Sequence, residues 1–175
     1  TLVNIAGSSG VGYGATKTWT QSTGTNDNLM LVFVRDDGNA VTGVINSNGS
    51  MTACPSSPVT ISGANYYCFY YENATQSFAH TITVTTASAN IGGYSVSYAN
   101  VDTTAFPLAS TAINTTGNVT ASLTLRAGSW SVLFAADRSG TNPTANTNVT
   151  VLQSLCGGIS ATLFDSNGGA AAGSF

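Results

Sequence analysis

The sequence predicts an all-β fold in which two antiparallel sheets pack as a sandwich of the jelly-roll or immunoglobulin-like type. Period-two alternation of apolar and polar residues recurs along the chain, as expected for half-buried strands. Clusters of Gly, Asn, Asp and Pro separate the alternating runs and mark turns. No window of eleven residues carries a helical apolar stripe. Roughly ten short strands at this spacing favour two packed sheets.

The strands follow in order from these patterns. Segment 29–34 is apolar throughout and fits a central strand covered on both faces. Segments 119–125 and 130–134 flank Ala-Gly-Ser and predict a hairpin. The remaining predicted strands are 15–21, 41–46, 65–71, 80–85, 94–98, 148–153 and 160–164. Turns are predicted at 36–39, 47–49, 90–93, 116–118 and 139–143.

Alternation also assigns faces. In segment 80–85, Ile82 and Val84 point to one side and three threonines to the other. The same rule gives a predicted core. Its members are Ile82, Val84, Tyr94, Val96, Tyr98, Leu123, Leu125, Trp130, Val132 and Phe134.

Composition excludes several functions. Only 6% of the 175 residues are charged and the net charge is −3, so Ser, Thr, Asn and Gly must supply the polar surface. Four scattered basic residues make no stripe that could neutralise a phosphate backbone, which argues against nucleic-acid binding. The longest apolar runs, 29–34 and 66–71, fall far short of the roughly 20 residues of a membrane helix.

The domain prediction is an N-terminal arm or edge strand over residues 1–14, followed by a single β-sandwich domain over 15–175. Residues 2–6 alternate and precede a Gly/Ser-rich stretch. Such a segment adds a strand either to a neighbouring subunit or to its own domain. The chain begins without Met or a signal sequence and stops within a strand-like segment, so we expect a mature or truncated product.

The three cysteines indicate whether the protein works in an oxidising or a reducing compartment. Cys54 and Cys68 enclose a hairpin-like excursion with two prolines and are a candidate disulfide, with buried free thiols as the alternative. A disulfide would indicate an oxidising environment. Cys156 is then unpaired or pairs between chains.

The sequence predicts no enzyme, no cofactor and no metal site. His80 is the only histidine and lacks a nucleophile motif. The seven acids lie mostly in turn sequences, where capping explains them. Asp36 and Asp37 beside Asn39 give a weaker calcium alternative.

Aromatic residues crowd segment 66–71 on both faces. An exposed tyrosine row could stack on sugar rings or meet another subunit. Tyr67 and Tyr71 are the candidate binding surface, and packing of both faces under loops is the alternative.

The middle of the chain resembles a diffuse group of β-sandwich domains found in bacteriophage particle proteins and in secreted bacterial surface proteins. The resemblance lies in segments 29–34, 41–44 and 94–104, followed by Pro107, and covers about two thirds of the chain. It implies the sandwich fold. Because these domains share no catalytic constellation, it carries over no site residue.

We therefore expect a non-enzymatic structural and interaction protein on the exterior of a phage particle, as a head decoration or tail-associated subunit acting through subunit contacts. The alternative is a secreted carbohydrate-binding or adhesive surface module. The expected partners are other subunits of a particle or a homo-oligomer, and surface glycans. The expected location is the virion surface or the extracellular space.

Overall fold

The computed structural model describes the backbone of residues 8–38, 40–61, 63–72, 79–104, 124–125, 131–137, 150–155, 160–165 and 173–174. Side chains are described for 15–38, 40–61, 63–72, 79–87, 91–104 and 131–135. Every regular element in these ranges is a strand, and every strand pairing is antiparallel. The strands are β1 Ser8–Ser22, β2 Asp27–Asp37, β3 Val41–Asn46, β4 Gly49–Ser50, β5 Thr52–Ala53, β6 Val59–Ile61, β7 Ala64–Glu72, β8 Ala79–Ala99, β9 Thr124–Leu125, β10 Val132–Asp137, β11 Thr150–Leu155, β12 Ser160–Asp165 and β13 Gly173–Ser174.

Strands β1 to β8 form one sheet, and its organising element is the 21-residue strand β8. One edge of β8 pairs with β1 from Ala79 to Ser95. The other edge pairs first with β3 and then with β2. Strand β7 continues the sheet beyond β2 and carries the short strands β5 and β6. The sheet therefore has two halves that share β8 and β1.

Strand β8 bends sharply between these halves. Trp19 on β1 lies opposite Ile82, yet its indole Nε1 donates a hydrogen bond to Ser95 Oγ at 2.8 Å. A straight strand would separate positions 82 and 95 by roughly 43 Å. The two halves must therefore face each other. The pairing irregularity that places Gly14 opposite Ala89 and Thr16 opposite Thr85 marks the corner.

The first hydrophobic core lies between the two halves. Trp19, Ile82, Val84 and Val44 enter it from the half built on β3, β1 and the start of β8. The other half contributes alternate residues of β2 and β7 and the first residue after the bend in β8. These residues are Met30, Val32, Val34, Tyr67, Phe69 and Ile91, and Met51 completes the cluster.

A second core lies on the opposite face of β2. It contains Leu29, Leu31, Phe33, Tyr94, Val96 and Tyr98. Val132 and Phe134 of β10 pack against it, and the Phe134 ring stacks 5.7 Å from the ring of Phe33. Strand β10 belongs to a separate sheet with the order β10-β12-β11. This sheet therefore packs on the large one.

These two cores confirm the all-β sandwich prediction. They also explain the uninterrupted apolar run at 29–34, because β2 is covered on both faces. Of the predicted core, Ile82 and Val84 belong to the first cluster, whereas Tyr94, Val96 and Tyr98 belong to the second with Val132 and Phe134 packed against them. Leu123, Trp130 and the side chain of Leu125 lie outside the described residues.

The turn predicted at 90–93 is wrong, because these residues continue β8 without interruption. Glycine is needed here for packing. A Cβ atom on Gly93 would lie 2.6 Å from Trp19 Cη2, well inside van der Waals contact. Gly93, one of the glycines on which the turn prediction rested, leaves space for the Trp19 ring from the opposing half of the sheet.

The hairpin predicted for 119–125 and 130–134 lies mostly outside the described residues, which include only 124–125 of its first strand. Strand β9 pairs with β13, and β10 pairs with β12. Both partners come from late in the chain, so local sequence carried no signal for them. The predicted boundary between residues 14 and 15 falls inside β1, whose Ser8–Gly14 part pairs with β8. Within the described residues that part pairs with β8 alone, and residues 2–6 lie outside the described residues.

Replacing Gly93 tests the bent sheet. Gly93→Ala should lower the free energy of unfolding by about 1–3 kcal/mol, since the Trp19 ring must shift out of a packed site. Gly43→Ala is the matched control, because a Cβ on Gly43 meets nothing within 4 Å, and it should be neutral or slightly stabilising. Urea denaturation of both variants measures the difference. Equal effects would contradict the Trp19 contact.

Candidate binding surfaces

The tyrosines predicted to form a binding surface do not lie on one. Tyr67 and Tyr71 pair with Val34 and Met30 of β2, and this register turns them toward the first core. Tyr67 is only 7% exposed, and its hydroxyl accepts a hydrogen bond from the Val41 backbone N–H at 3.1 Å. Tyr71 is half-buried against the same core. Alternation alone cannot say which face of β7 meets the core, and the register with β2 places both tyrosines on the core side.

The opposite face of β7 is also occupied. Tyr66 and Tyr70 are half-buried. The Tyr66 ring lies 6.4 Å from Phe134, and the Arg35 guanidinium lies 5.9 Å from the Tyr66 ring centroid. Arg35 is itself buried and forms an ion pair with Asp37 at 2.9 Å. Strand β7 therefore lies between two packed layers, which leaves no open tyrosine row on its described side chains.

Cys54 and Cys68 are joined in a disulfide, with Cα atoms 5.3 Å apart. Backbone pairing sets this geometry, because the Cys54 N–H donates to the Cys68 carbonyl at 2.9 Å. The Ser57 hydroxyl accepts from the Cys68 N–H at 3.0 Å and holds the intervening loop. The bond therefore fastens the segment before β6 to β7. Cys156 lies outside the described residues.

A buried polar chain crosses the first core, and sequence reasoning missed it. The Ser95 hydroxyl accepts from the Trp19 indole and donates to Gln21 Oε1 at 2.7 Å. Gln21 Nε2 then donates to the Ser22 carbonyl at 2.8 Å. Each group gains a partner that offsets its desolvation. The available signal was the pair Ser95 and Ser97, small polar residues that alternate with buried tyrosines.

The described acids on β2 have structural partners. Asp27 Oδ2 accepts from the Gly24 N–H at 2.9 Å and from the Ser97 hydroxyl, which closes the turn between β1 and β2. Asp36 is buried and accepts from Thr86 Oγ1. Both acids of the alternative calcium site already have partners, since Asp36 accepts from Thr86 and Asp37 pairs with Arg35. Asn39, its third member, lies outside the described residues. Within the described residues no group of three His, Cys, Asp or Glu side chains is placed to hold a metal.

His80, the second residue of β8, is buried on the inner face of the sheet. It lies opposite Gln21 and has no solvent exposure. Desolvation by burial lowers the pKa of its imidazole below the ordinary value of 6.5. The neutral ring is therefore the form that the folded chain favours.

The exposed side of the same half is a sheet face built from threonines. Thr16, Thr18 and Thr20 of β1 lie directly opposite Thr85, Thr83 and Thr81 of β8. Five of these side chains are exposed and Thr83 is half-buried. Ile45 of β3, 46% exposed, lies opposite Thr83. We call these six threonines with Ile45 the threonine face.

Comparisons with known proteins returned no match to a protein-family model, a curated protein or a solved structure. In the part of the chain that the structure describes, no helix is long and apolar enough to cross a membrane.

The disulfide should contribute measurably to stability. It closes a segment of 14 residues in sequence separation, and loop-closure entropy predicts about 3 kcal/mol for a loop of this size. The double variant Cys54→Ser/Cys68→Ser should lose that amount in chemical denaturation. Cys156→Ser, under the same conditions, controls for the loss of a thiol elsewhere. A double variant as stable as the parent would contradict a native disulfide.

Burial of His80 predicts a pH dependence. Because the folded-state pKa is lowered, the unfolded chain binds the proton more readily, so stability is complete above pH 6.5 and falls as the pH drops through that value. The slope from one group is at most about 1.4 kcal/mol per pH unit. His80→Gln should flatten the dependence between pH 5 and 7 in urea titrations. If the slope of unfolding free energy against pH is unchanged in the variant, groups other than His80 cause the pH dependence.

Proposed function

We propose that the chain is a non-enzymatic structural and interaction protein on the exterior of a phage particle, as a head decoration or tail-associated subunit. Its described acids on β2 stabilise turns and strands, and its histidine is buried. Side chains committed in this way cannot supply a nucleophile, a base and an orienting group at one exposed place. The domain acts through contacts with other subunits.

The observation that carries this proposal is the scarcity of charged residues along β1 at the side of the large sheet. Within the described residues β1, which is 15 residues long, pairs with β8 alone, and Lys17 is its only charged residue. Sheet edges that face water are normally protected by several charges, prolines or bulges. An edge protected by one lysine and by the single irregularity between Gly14 and Thr16 is suited to a lattice in which neighbouring subunits cover it.

Two further features support an exterior location. The Cys54–Cys68 disulfide persists outside reducing compartments. The expected resemblance to phage particle domains, which no comparison tests, rests on segments of β2, β3 and the end of β8. These features fit a rigid subunit that meets solvent on one side.

The second candidate is a secreted carbohydrate-binding or adhesive surface module. The threonine face favours it, because an exposed and uncharged array of hydroxyl and methyl groups is suited to a neutral ligand. Its binding surface would lie on β1 and β8, and the tyrosines of β7 would have only a structural role.

Analysis of purified particles tests the first proposal. We expect the gene to lie beside head or tail genes, and mass spectrometry of particles to find the chain at the copy number of a structural protein. Washing the particles in 1 M salt is the control for adsorbed protein, since it removes charge-mediated attachment. A chain that is absent from washed particles, with its gene among secretion genes, would reject the particle location in favour of the secreted module.

A further inference from the structure

We propose that the threonine face is a binding surface for a neutral polysaccharide. This inference extends the second candidate function and does not require a place on a particle. Its basis is the arrangement of six threonines as three direct cross-strand pairs, Thr16 with Thr85, Thr18 with Thr83 and Thr20 with Thr81.

The array is regular in two directions. Threonines on one strand repeat at every second residue, roughly 6.7 Å apart, and the paired strands lie about 4.8 Å apart. Each side chain offers a hydroxyl, which both donates and accepts a hydrogen bond, beside a methyl group. A glycan chain offers the complementary combination of hydroxyls and C–H groups at repeating intervals.

The side chains are ordered before binding. Threonine is β-branched and has few χ1 rotamers on a strand, so little rotamer entropy is lost when a ligand contacts it. The inward neighbours fix the strands beneath, because Trp19 and Gln21 alternate with the threonines of β1 and bond to Ser95. On β8, Ile82 and Val84 alternate with the threonines and hold the strand in place by packing in the first core.

Charge decides the class of ligand. None of the residues of the threonine face is charged, and Lys17 alternates to the inward side of β1 beside Trp19. A surface with no cation has no means of attracting a phosphate or a uronic acid, and one with no anion does not attract a basic partner. The preferred ligand is therefore uncharged.

Area argues against a second protein as the occupant. The threonine face, three ranks of residues across β1, β8 and β3, covers roughly 300 Å² by strand spacing. Stable protein interfaces bury about 800 Å² on each partner. A glycan chain needs no such area, and many copies on one surface would add avidity to a weak single contact.

The test is retention of the whole chain on four insoluble neutral polysaccharides: cellulose, chitin, curdlan and starch. We expect retention on at least one of them, equal at low salt and in 1 M NaCl because no charge takes part. Thr18→Lys should lower the partition coefficient on that matrix by at least about tenfold, or 1.4 kcal/mol. Thr83→Val keeps the side-chain shape but removes the hydroxyl, and should also weaken retention.

Thr52→Lys is the matched control, since Thr52 is an exposed threonine on β5 of the same sheet, outside the threonine face. It should bind as the parent does. Thermal unfolding of all three variants must match the parent, and Thr83→Val serves if Thr18→Lys does not fold. The proposal is overturned by retention on none of the four matrices, or by equal losses in Thr52→Lys and Thr18→Lys. A dimer in sedimentation velocity that Thr18→Lys dissociates would also overturn it, because a second copy would then occupy the face.

Discussion

The contact of Trp19 with Gly93 and Ser95 is the constraint on which the large sheet depends. Strand β8 can serve two facing halves only if something holds its ends together across the bend. The indole does so in two ways, since its ring fills the space above Gly93 and its Nε1–H reaches Ser95 Oγ. Burial of an indole removes a large apolar area from water, and the hydrogen bond satisfies its polar atom.

The bend also explains why polar residues occupy the inner face. After the corner, the inward positions of β8 include Gly93, Ser95 and Ser97, all small. At Gly93 even a Cβ atom would collide with Trp19 of β1. The hydroxyls of Ser95 and Ser97 would be costly in such a place without partners, and Gln21 and Asp27 supply them. The close approach of β1 to β8 therefore explains both why these residues are small and why their hydroxyls have hydrogen-bond partners.

Local sequence predicted the strands well because alternation is a local property. Segment 41–46 matches β3, and the apolar run at 29–34 correctly indicated a strand covered on both faces. The same reasoning could not find the bend in β8, because the cause lies at Trp19, more than seventy residues before Gly93. Judged from the local sequence, the adjacent glycines Gly92 and Gly93 indicate a turn. In the folded chain, Gly93 instead provides space for a packed side chain.

The orientation of the candidate tyrosines could not be predicted for a related reason. Tyr67 and Tyr71 form a credible stacking row in sequence, but only the register with β2 shows that they face inward. The sequence indicates that the three threonines at 81, 83 and 85 share one face, whereas their partners at 16, 18 and 20 are found only from the pairing of β1 with β8. A surface made by two strands is not present in either strand alone.

The inner and outer faces of this half are physically linked. The alternation that commits Trp19 and Gln21 to the polar chain with Ser95 also commits Thr18 and Thr20 to solvent. A slip of one residue in the pairing of β1 would expose the indole and bury the hydroxyls, so the core enforces the register of the surface. The order of the threonine face is therefore maintained by the free energy of the core, and any ligand that reads its spacing binds a surface that folding has already fixed.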